Sequence, residues 1–273
     1  MPLQHRDPLE VNKRQAAFYD TFHTDEAFNL PSRAWRRLRD RVRGVADIDD
    51  RVDGFERDVF EVVRPRAVLE VGCYSGRAQT DWLLAAPWLD RYVGIELSPS
   101  AIERFRARLT PATAGKAELV VGDFLTHELP RAGFDLVYMH SVFHHFPDPA
   151  VAVRRAAELL APGGSLITFD PLSTNCVFRA ARALYRPFQS DRDWEWPLGE
   201  PAFRALDEAF ALRRLEGYLG LEMYAAILYI LAPLPVIATL RARARAADAE
   251  AATGLGRGLY RCNFAAMWWQ KPT

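Results

Sequence analysis

Glu70, Glu96 and Asp123 each stand at or just beyond the carboxyl end of a short apolar run. Ligands of open α/β sheets bind outside those ends, so carboxylates there can accept hydrogen bonds from a nucleoside. The first run leads into Val-Leu-Glu-Val-Gly-Cys-Tyr-Ser-Gly, residues Val68 to Gly76. Residues 67–71 are predicted to form a buried parallel strand. Gly72 and Gly76 would make the tight turn that lets a ligand approach the backbone. Residues 77–86 then have helical spacing, with Ala78, Trp82, Leu83 and Ala86 on one side. Glu70, in the strand's last turn, can reach a cation held above the glycines. Glu96 ends a second predicted strand, Arg91 to Leu97, where an acid can accept from both hydroxyls of a ribose. A second group of chemical side chains is His140, His144 and His145, in the tail of a predicted fourth strand. Histidine titrates near neutral pH, so each is a candidate to take a proton from an acceptor hydroxyl. His144 and His145 are the preferred candidates, one pointing inward and the other packed. A structural role is the alternative for each.

A dinucleotide loop would carry a third glycine at G-x-G-x-x-G. Here Tyr74 lies between the only two. The segment resembles the E/D-x-G-x-G-x-G loop of class I S-adenosylmethionine-dependent methyltransferases (the type 11, UbiE-like group), with Tyr74 in place of the middle glycine. Further landmarks follow in that family's order: Glu96, Gly122-Asp123-Phe124, Phe134-Asp135-Leu136-Val137, and Leu160-Ala161-Pro162-Gly163-Gly164-Ser165-Leu166. The resemblance covers Val68 to Asp170. It implies a Rossmann-like, seven-stranded, mostly parallel sheet with an antiparallel last strand and helices on both faces. It implies S-adenosylmethionine as cofactor, held by Glu70, Gly72, Cys73, Tyr74, Gly76, Glu96, Leu97, Asp123, Phe124, His140 and Ser141. Asp123 would accept from the adenine amine, with Phe124 against the ring. The acids and histidines are not at metal-ligand spacing, and no metal is expected.

The elements that must position these residues follow from pattern. Three helices are predicted ahead of the first strand: 11–22, then 33–43 with Ser32 as cap and Gly44 as stop, and 49–63 with Val52, Phe55, Val59 and Val63 on one face. Residues 1–64 are read as a lid over the cofactor or as packing against the sheet edge; Tyr19 and His23 are its candidate ligand contacts. Residues 65–273 form the catalytic domain. Strands are predicted at 117–121, 134–140, 165–169, 212–221 and 260–269, with helices at 99–109, 149–160 and 201–210. Residues 171–200 show no clear pattern, but they carry Tyr185, Phe188, Trp194 and Trp196 and can cross the active-site face.

The oddest stretch is the uncharged run from Met223 to Leu240, within an insert at 222–258. As one helix it would reach about 27 Å, but Pro233 and Pro235 break it. With Arg241, Arg243 and Arg245 following, residues 223–245 are read as a peripheral contact with anionic lipid or a lipid substrate. A packed helical lid or an oligomer interface is the alternative.

Bulk properties agree with one large α/β domain. The 273 residues are 49% hydrophobic and carry a formal net charge of zero, which does not favour nucleic acid as a partner. Three scattered cysteines exclude a disulfide framework or a zinc site. The polar stretch Met1 to Arg14 lacks a signal peptide's apolar core, so a cytoplasmic protein, membrane-associated if 223–245 docks, is expected. The expected activity is methyl transfer, most simply to oxygen, on a small hydrophobic or lipid-linked acceptor. Two other readings stay open: a degenerate methyltransferase fold that binds without catalysis, favoured by Tyr74, and a nicotinamide-dependent oxidoreductase, disfavoured by the missing glycine.

Overall fold

Strands buried on both faces read as largely apolar runs; the computed structural model has parallel strands at the five expected places, of which the outermost, 117–121, is only partly buried. It describes residues 8–22, 24 and 28–273, with the backbone alone for Pro8 and Leu9. His23 lies outside the described residues. In chain order the elements are α1 (Pro8–Thr21), α2 (Leu30–Val45), α3 (Ile48–Val63), β1 (Ala67–Val71), α4 (Ala78–Ala85), β2 (Arg91–Glu96), α5 (Pro99–Arg108), α6 (Pro111–Ala114), β3 (Ala117–Val121) and β4 (Phe134–His140). The second half continues with α7 (Pro149–Leu159), β5 (Leu160–Pro171), α8 (Cys176–Tyr185), α9 (Glu200–Ala209), β6 (Ala211–Tyr218), α10 (Leu221–Leu231), α11 (Pro235–Ala251) and β7 (Phe264–Gln270).

The seven strands form one sheet in the order β3-β2-β1-β4-β5-β7-β6. β1 to β5 pair in parallel, and β7 runs antiparallel to both β5 and β6. This is the expected Rossmann-like architecture. Strand order reverses between β1 and β4, which is where such sheets bind ligands.

Period-two alternation sends Leu69, Val93 and Val137 into one core, covered by α7 and α9. Val68, Tyr92 and Leu136 face the other, covered by α3, α4 and α5. Helix α3 is thus part of the sheet's covering layer, with Val52 and Val59 fully buried. Of the residues read as a lid or as edge packing, α1 and α2 are the helices that remain.

Some local expectations change. Asn29, not Ser32, caps α2, its side chain accepting the Ser32 N–H at 2.9 Å. Gly44 lies inside α2. Residues 161–164 extend β5, paired against β4 with a register shift between Phe134 and Leu136. Residues 176–185 form α8, where no pattern was legible. The uncharged run folds as a helical hairpin, α10 and α11, broken at the two prolines. Among the described residues, no helix is long and apolar enough to cross a membrane.

Candidate active site

The turn after β1 holds Gly72, Tyr74 and Gly76 all at positive φ, at 66°, 47° and 77°. Gly72 is required there: a Cβ would lie 2.4 Å from a methyl of Val142. Tyr74 keeps the left-handed conformation of a glycine despite its side chain, at a cost of roughly 1–2 kcal/mol. Its ring turns toward the lid, 6.3 Å from the Tyr19 ring and 6.1 Å from that of Phe22, with the Arg104 guanidinium 5.3 Å above it. Cys73 is buried in the core, so it offers the turn only its backbone.

The carboxyl ends of β2 and β3 carry the next two acids, Glu96 and Asp123. Glu96 is almost fully buried and accepts the backbone N–H of Tyr74 at 3.2 Å and of Ser98 at 2.9 Å. Burial raises its pKa, against the pull of those amides. A carboxylate offers about four lone-pair sites, so both oxygens can still accept from ribose hydroxyls. Leu97 is half-buried beside it. Asp123 accepts the Leu125 N–H at 2.8 Å, and its Oδ2 accepts the side-chain amide of Asn12 at 2.7 Å. Phe124 departs from expectation. Its ring is packed in the core, 5.7 Å from Phe146, and cannot lie against an adenine.

Glu70 holds the turn from beneath. It is buried, and accepts from the Thr80 hydroxyl at 2.9 Å and the Tyr92 hydroxyl at 2.8 Å. Burial pushes its pKa to about 7. Its carboxylate therefore ties α4 and β2 to the glycine turn. Beside it, Arg77 reaches Asp53 at 2.9 Å and Glu56 at 3.3 Å, and Glu56 accepts from Tyr138 at 2.7 Å. Glu56 also meets Nδ1 of His140 at 2.6 Å. This buried network fixes His140 against Phe169, with ring centroids 4.9 Å apart. Burial lowers the His140 pKa.

After β4 the backbone turns through Ser141, also at positive φ (56°), whose N–H donates to the Phe169 carbonyl at 2.7 Å. The turn delivers His144 and His145. Oδ1 of Asp170, at the end of β5, accepts the backbone N–H of His144 at 3.1 Å and faces its Nδ1 at 2.7 Å. Oδ2 of Asp170 is buried without a partner. Burial drives both groups toward neutrality, His144 down to about 3 and Asp170 up to about 8. The consistent protonation puts a proton on Nδ1 and another on Oδ2, leaving Nε2 as an acceptor 3.9 Å from Glu195. His145 is fixed in the same tautomer. The Trp194 carbonyl, which can only accept, faces its Nδ1 at 2.6 Å, so Nε2 accepts a hydrogen bond from the Tyr19 hydroxyl at 2.9 Å. Burial pushes the His145 pKa down to about 3.

Helix α1 contacts the site at three places. Asn12 reaches Asp123, Asp20 accepts from the hydroxyls of Ser98 at 2.5 Å and Ser100 at 2.6 Å, and Tyr19 reaches His145. Phe18, Phe28 and Trp194 form a separate apolar cluster that pins the lid to the segment after β5. The sequence reading missed Asn12, Asp20 and Asp170. Their partners lie 111, 78 and 26 residues away, so no local spacing could have marked them.

A sulfonium nucleoside fits this donor and acceptor set. The positive-φ turn leaves its backbone approachable, and acids end β2, beside it, and follow β3, the next strand out. Among the described residues, no group of three or more His, Cys, Asp or Glu could hold a metal ion.

Comparison with known proteins agrees with this geometry. Residues 69–168 match the family model described as a methyltransferase domain. A trans-aconitate 2-methyltransferase from Methylobacterium radiotolerans is 31% identical over 139 residues, half of this chain and 49% of that protein. A 2-methyl-6-phytyl-1,4-hydroquinone methyltransferase from Synechocystis is 32% identical over 103 residues, 38% of this chain and 31% of that protein. The chain thus spans about half the length, or less, of these relatives. A proposed sarcosine dimethylglycine methyltransferase from Galdieria sulphuraria shares the fold, with TM-score 0.56, 16% identity, and coverage of 81% of this chain and 86% of that one. With motif order, sheet topology and family match in agreement, residues 69–168 belong to the class I S-adenosylmethionine-dependent methyltransferase domains.

Proposed function

We propose that the chain transfers the methyl group of S-adenosylmethionine to oxygen on a small hydrophobic or lipid-linked acceptor. Glu96 and Asp123 would bind the nucleoside, the turn from Gly72 to Gly76 its amino-acid arm, and α1 would close over both as a lid. The cofactor supplies an already activated methyl group. The chain's contribution is then mainly alignment and exclusion of water.

The observation that carries this reading is the convergence of both halves of the chemistry under one helix. Asp123 beyond β3, Ser98 beside Glu96 and His145 beyond β4 each meet a side chain of α1. His144, held at Nδ1 by Asp170, is neutral and leaves Nε2 as an acceptor. A histidine with so low a pKa orients a hydroxyl better than it removes its proton. The favoured acceptor is therefore an acidic hydroxyl, such as a phenol, that gives up its proton readily. The aromatic cluster around Phe18 and Trp194 supports an apolar acceptor, and the relative acting on a phytyl hydroquinone is consistent with one. Contact of 223–245 with a membrane would bring the chain to such a substrate.

The test is transfer of labelled methyl from S-adenosylmethionine into phenolic or quinol lipids. Label in the lipid at a methyl ether supports the reading. Cofactor binding without transfer to any acceptor class favours the non-catalytic binder, for which the Asn12–Asp123 contact is the specific support. Binding of NAD in place of S-adenosylmethionine overturns both.

A further inference from the structure

Among the described residues, all the strongly exposed large apolar side chains except Val62 and Val121 lie on α2, on α8 and the turn after it, or on the α10–α11 hairpin. They are spaced helically rather than scattered. Helix α10 exposes Tyr224, Leu228 and Leu231, and α8 exposes Val177 and Leu184. On α2, Leu30 and Leu38 are exposed eight residues apart. Leu184 is 79% exposed, Leu30 77% and Leu231 76%, values of side chains standing in solvent. A surface helix normally turns such a stripe inward.

The three stripes are neighbours. Trp35 of α2 stacks on Tyr185 of α8 at 5.2 Å, and the Tyr185 hydroxyl donates to Ser32 of α2 at 2.9 Å. Helix α2 also packs against α10. The layer they form borders the acceptor side of the site, since the segment following α8 supplies Trp194 and Glu195 to the histidines.

Charge identifies the occupant. The whole chain is neutral, yet α2 carries six arginines against the single acid Asp40, and α8 carries Arg179 and Arg182 with no acid. Arg37, Arg41 and Arg179 are exposed and make no ion pair with any described residue. The rim of α11 contributes less, because Arg241 and Arg245 turn inward to Asp47, and Arg245 also to Glu222. An apolar surface edged with free arginines is self-repelling in a symmetric dimer, where each face meets its own copy. It complements anionic lipid, whose headgroups meet the arginines while the leucines enter the acyl boundary.

We propose that α2, α8 and the α10–α11 hairpin form one docking face for an anionic bilayer surface, setting the acceptor entrance against the membrane. It rests on the methyl-transfer reading only for what the docked enzyme would do there. The test is co-sedimentation of the full chain with phosphatidylcholine vesicles, with and without phosphatidylglycerol. The expected result is binding that requires phosphatidylglycerol and weakens with salt. Leu184→Glu and Leu231→Glu should each weaken it at least about tenfold, and Arg37→Gln and Arg41→Gln about fivefold each. Calorimetric binding of S-adenosylhomocysteine should be unchanged in all four, which reports that they fold. Hydrogen exchange on the unmutated chain gives a second readout: α2, α8 and α10 should gain protection on vesicle addition. A chain that binds S-adenosylhomocysteine but stays in the supernatant overturns the docking face and leaves the methyl-transfer reading standing. Self-association abolished by the leucine substitutions, without vesicle binding, also overturns it.

Discussion

The side-chain amide of Asn12 donates to Oδ2 of Asp123 at 2.7 Å, so helix α1 places an N–H on the acid read as the acceptor for the adenine amine. On the proposed binding mode, α1 and the nucleoside compete for one carboxylate. Hydrogen bonds to a charged group contribute roughly 1.5–3 kcal/mol, and much of that is returned when the ligand replaces the amide. Asn12→Ala should tighten S-adenosylhomocysteine binding by about three- to tenfold, measured by calorimetry. Weaker binding would mean that Asn12 contacts the ligand rather than competing with it.

Asp170 gives a pH prediction. Burial raises its pKa from an ordinary 3.8 to about 8, so the folded chain holds a proton that the unfolded chain releases. Its contribution to stability is complete below 3.8 and is lost as pH rises through 8. Asn at this position keeps an oxygen for both His144 N–H groups and cannot ionise. The melting temperature of Asp170→Asn minus that of the unmutated chain should rise between pH 4 and pH 8, about the interval over which the native acid is titrated. A constant difference would mean that Asp170 is ionised beside a neutral His144 throughout that range.

Arg77 is the cation of the network beneath the glycine turn, reaching Asp53, the fully buried Glu56 and Tyr138. Removing one partner of a buried pair leaves the other charge uncompensated. Arg77→Met should lower stability by about 3–5 kcal/mol, read by urea unfolding. A loss below about 1 kcal/mol, the range of a surface pair, would show that Glu56 is satisfied by His140 and Tyr138 alone.

The sheet was legible because parallel strands buried on both faces leave an unmistakable apolar run, as at 67–71 and 134–140. Glycine spacing then located the turn, and Glu96 and Asp123 fell at strand ends as their distances from it required. Helix α8 was not legible because its pattern is inverted, with Val177 and Leu184 in solvent and Arg182 turned toward the site. Glu70 was placed correctly on its strand, but strand parity put its carboxylate beneath the turn, where Thr80 and Tyr92 take it. Phe124 was misread for the same kind of reason: adjacent residues of a turn point apart, and Asp123 rather than Phe124 faces outward. Asn12, Asp20 and Asp170 become site residues only through tertiary contacts, which one-dimensional spacing does not carry.

The most direct test of the cofactor site is calorimetric titration of S-adenosylhomocysteine into the unmutated chain, Glu96→Ala and Asp123→Ala. The account predicts one site per chain, weakened about ten- to a hundredfold in Glu96→Ala by loss of two charge-assisted bonds. Asp123→Ala should weaken it less, since its loss also frees the lid's amide. No binding to the unmutated chain, or the same affinity in all three, would contradict the placement of a sulfonium nucleoside across the ends of β1, β2 and β3.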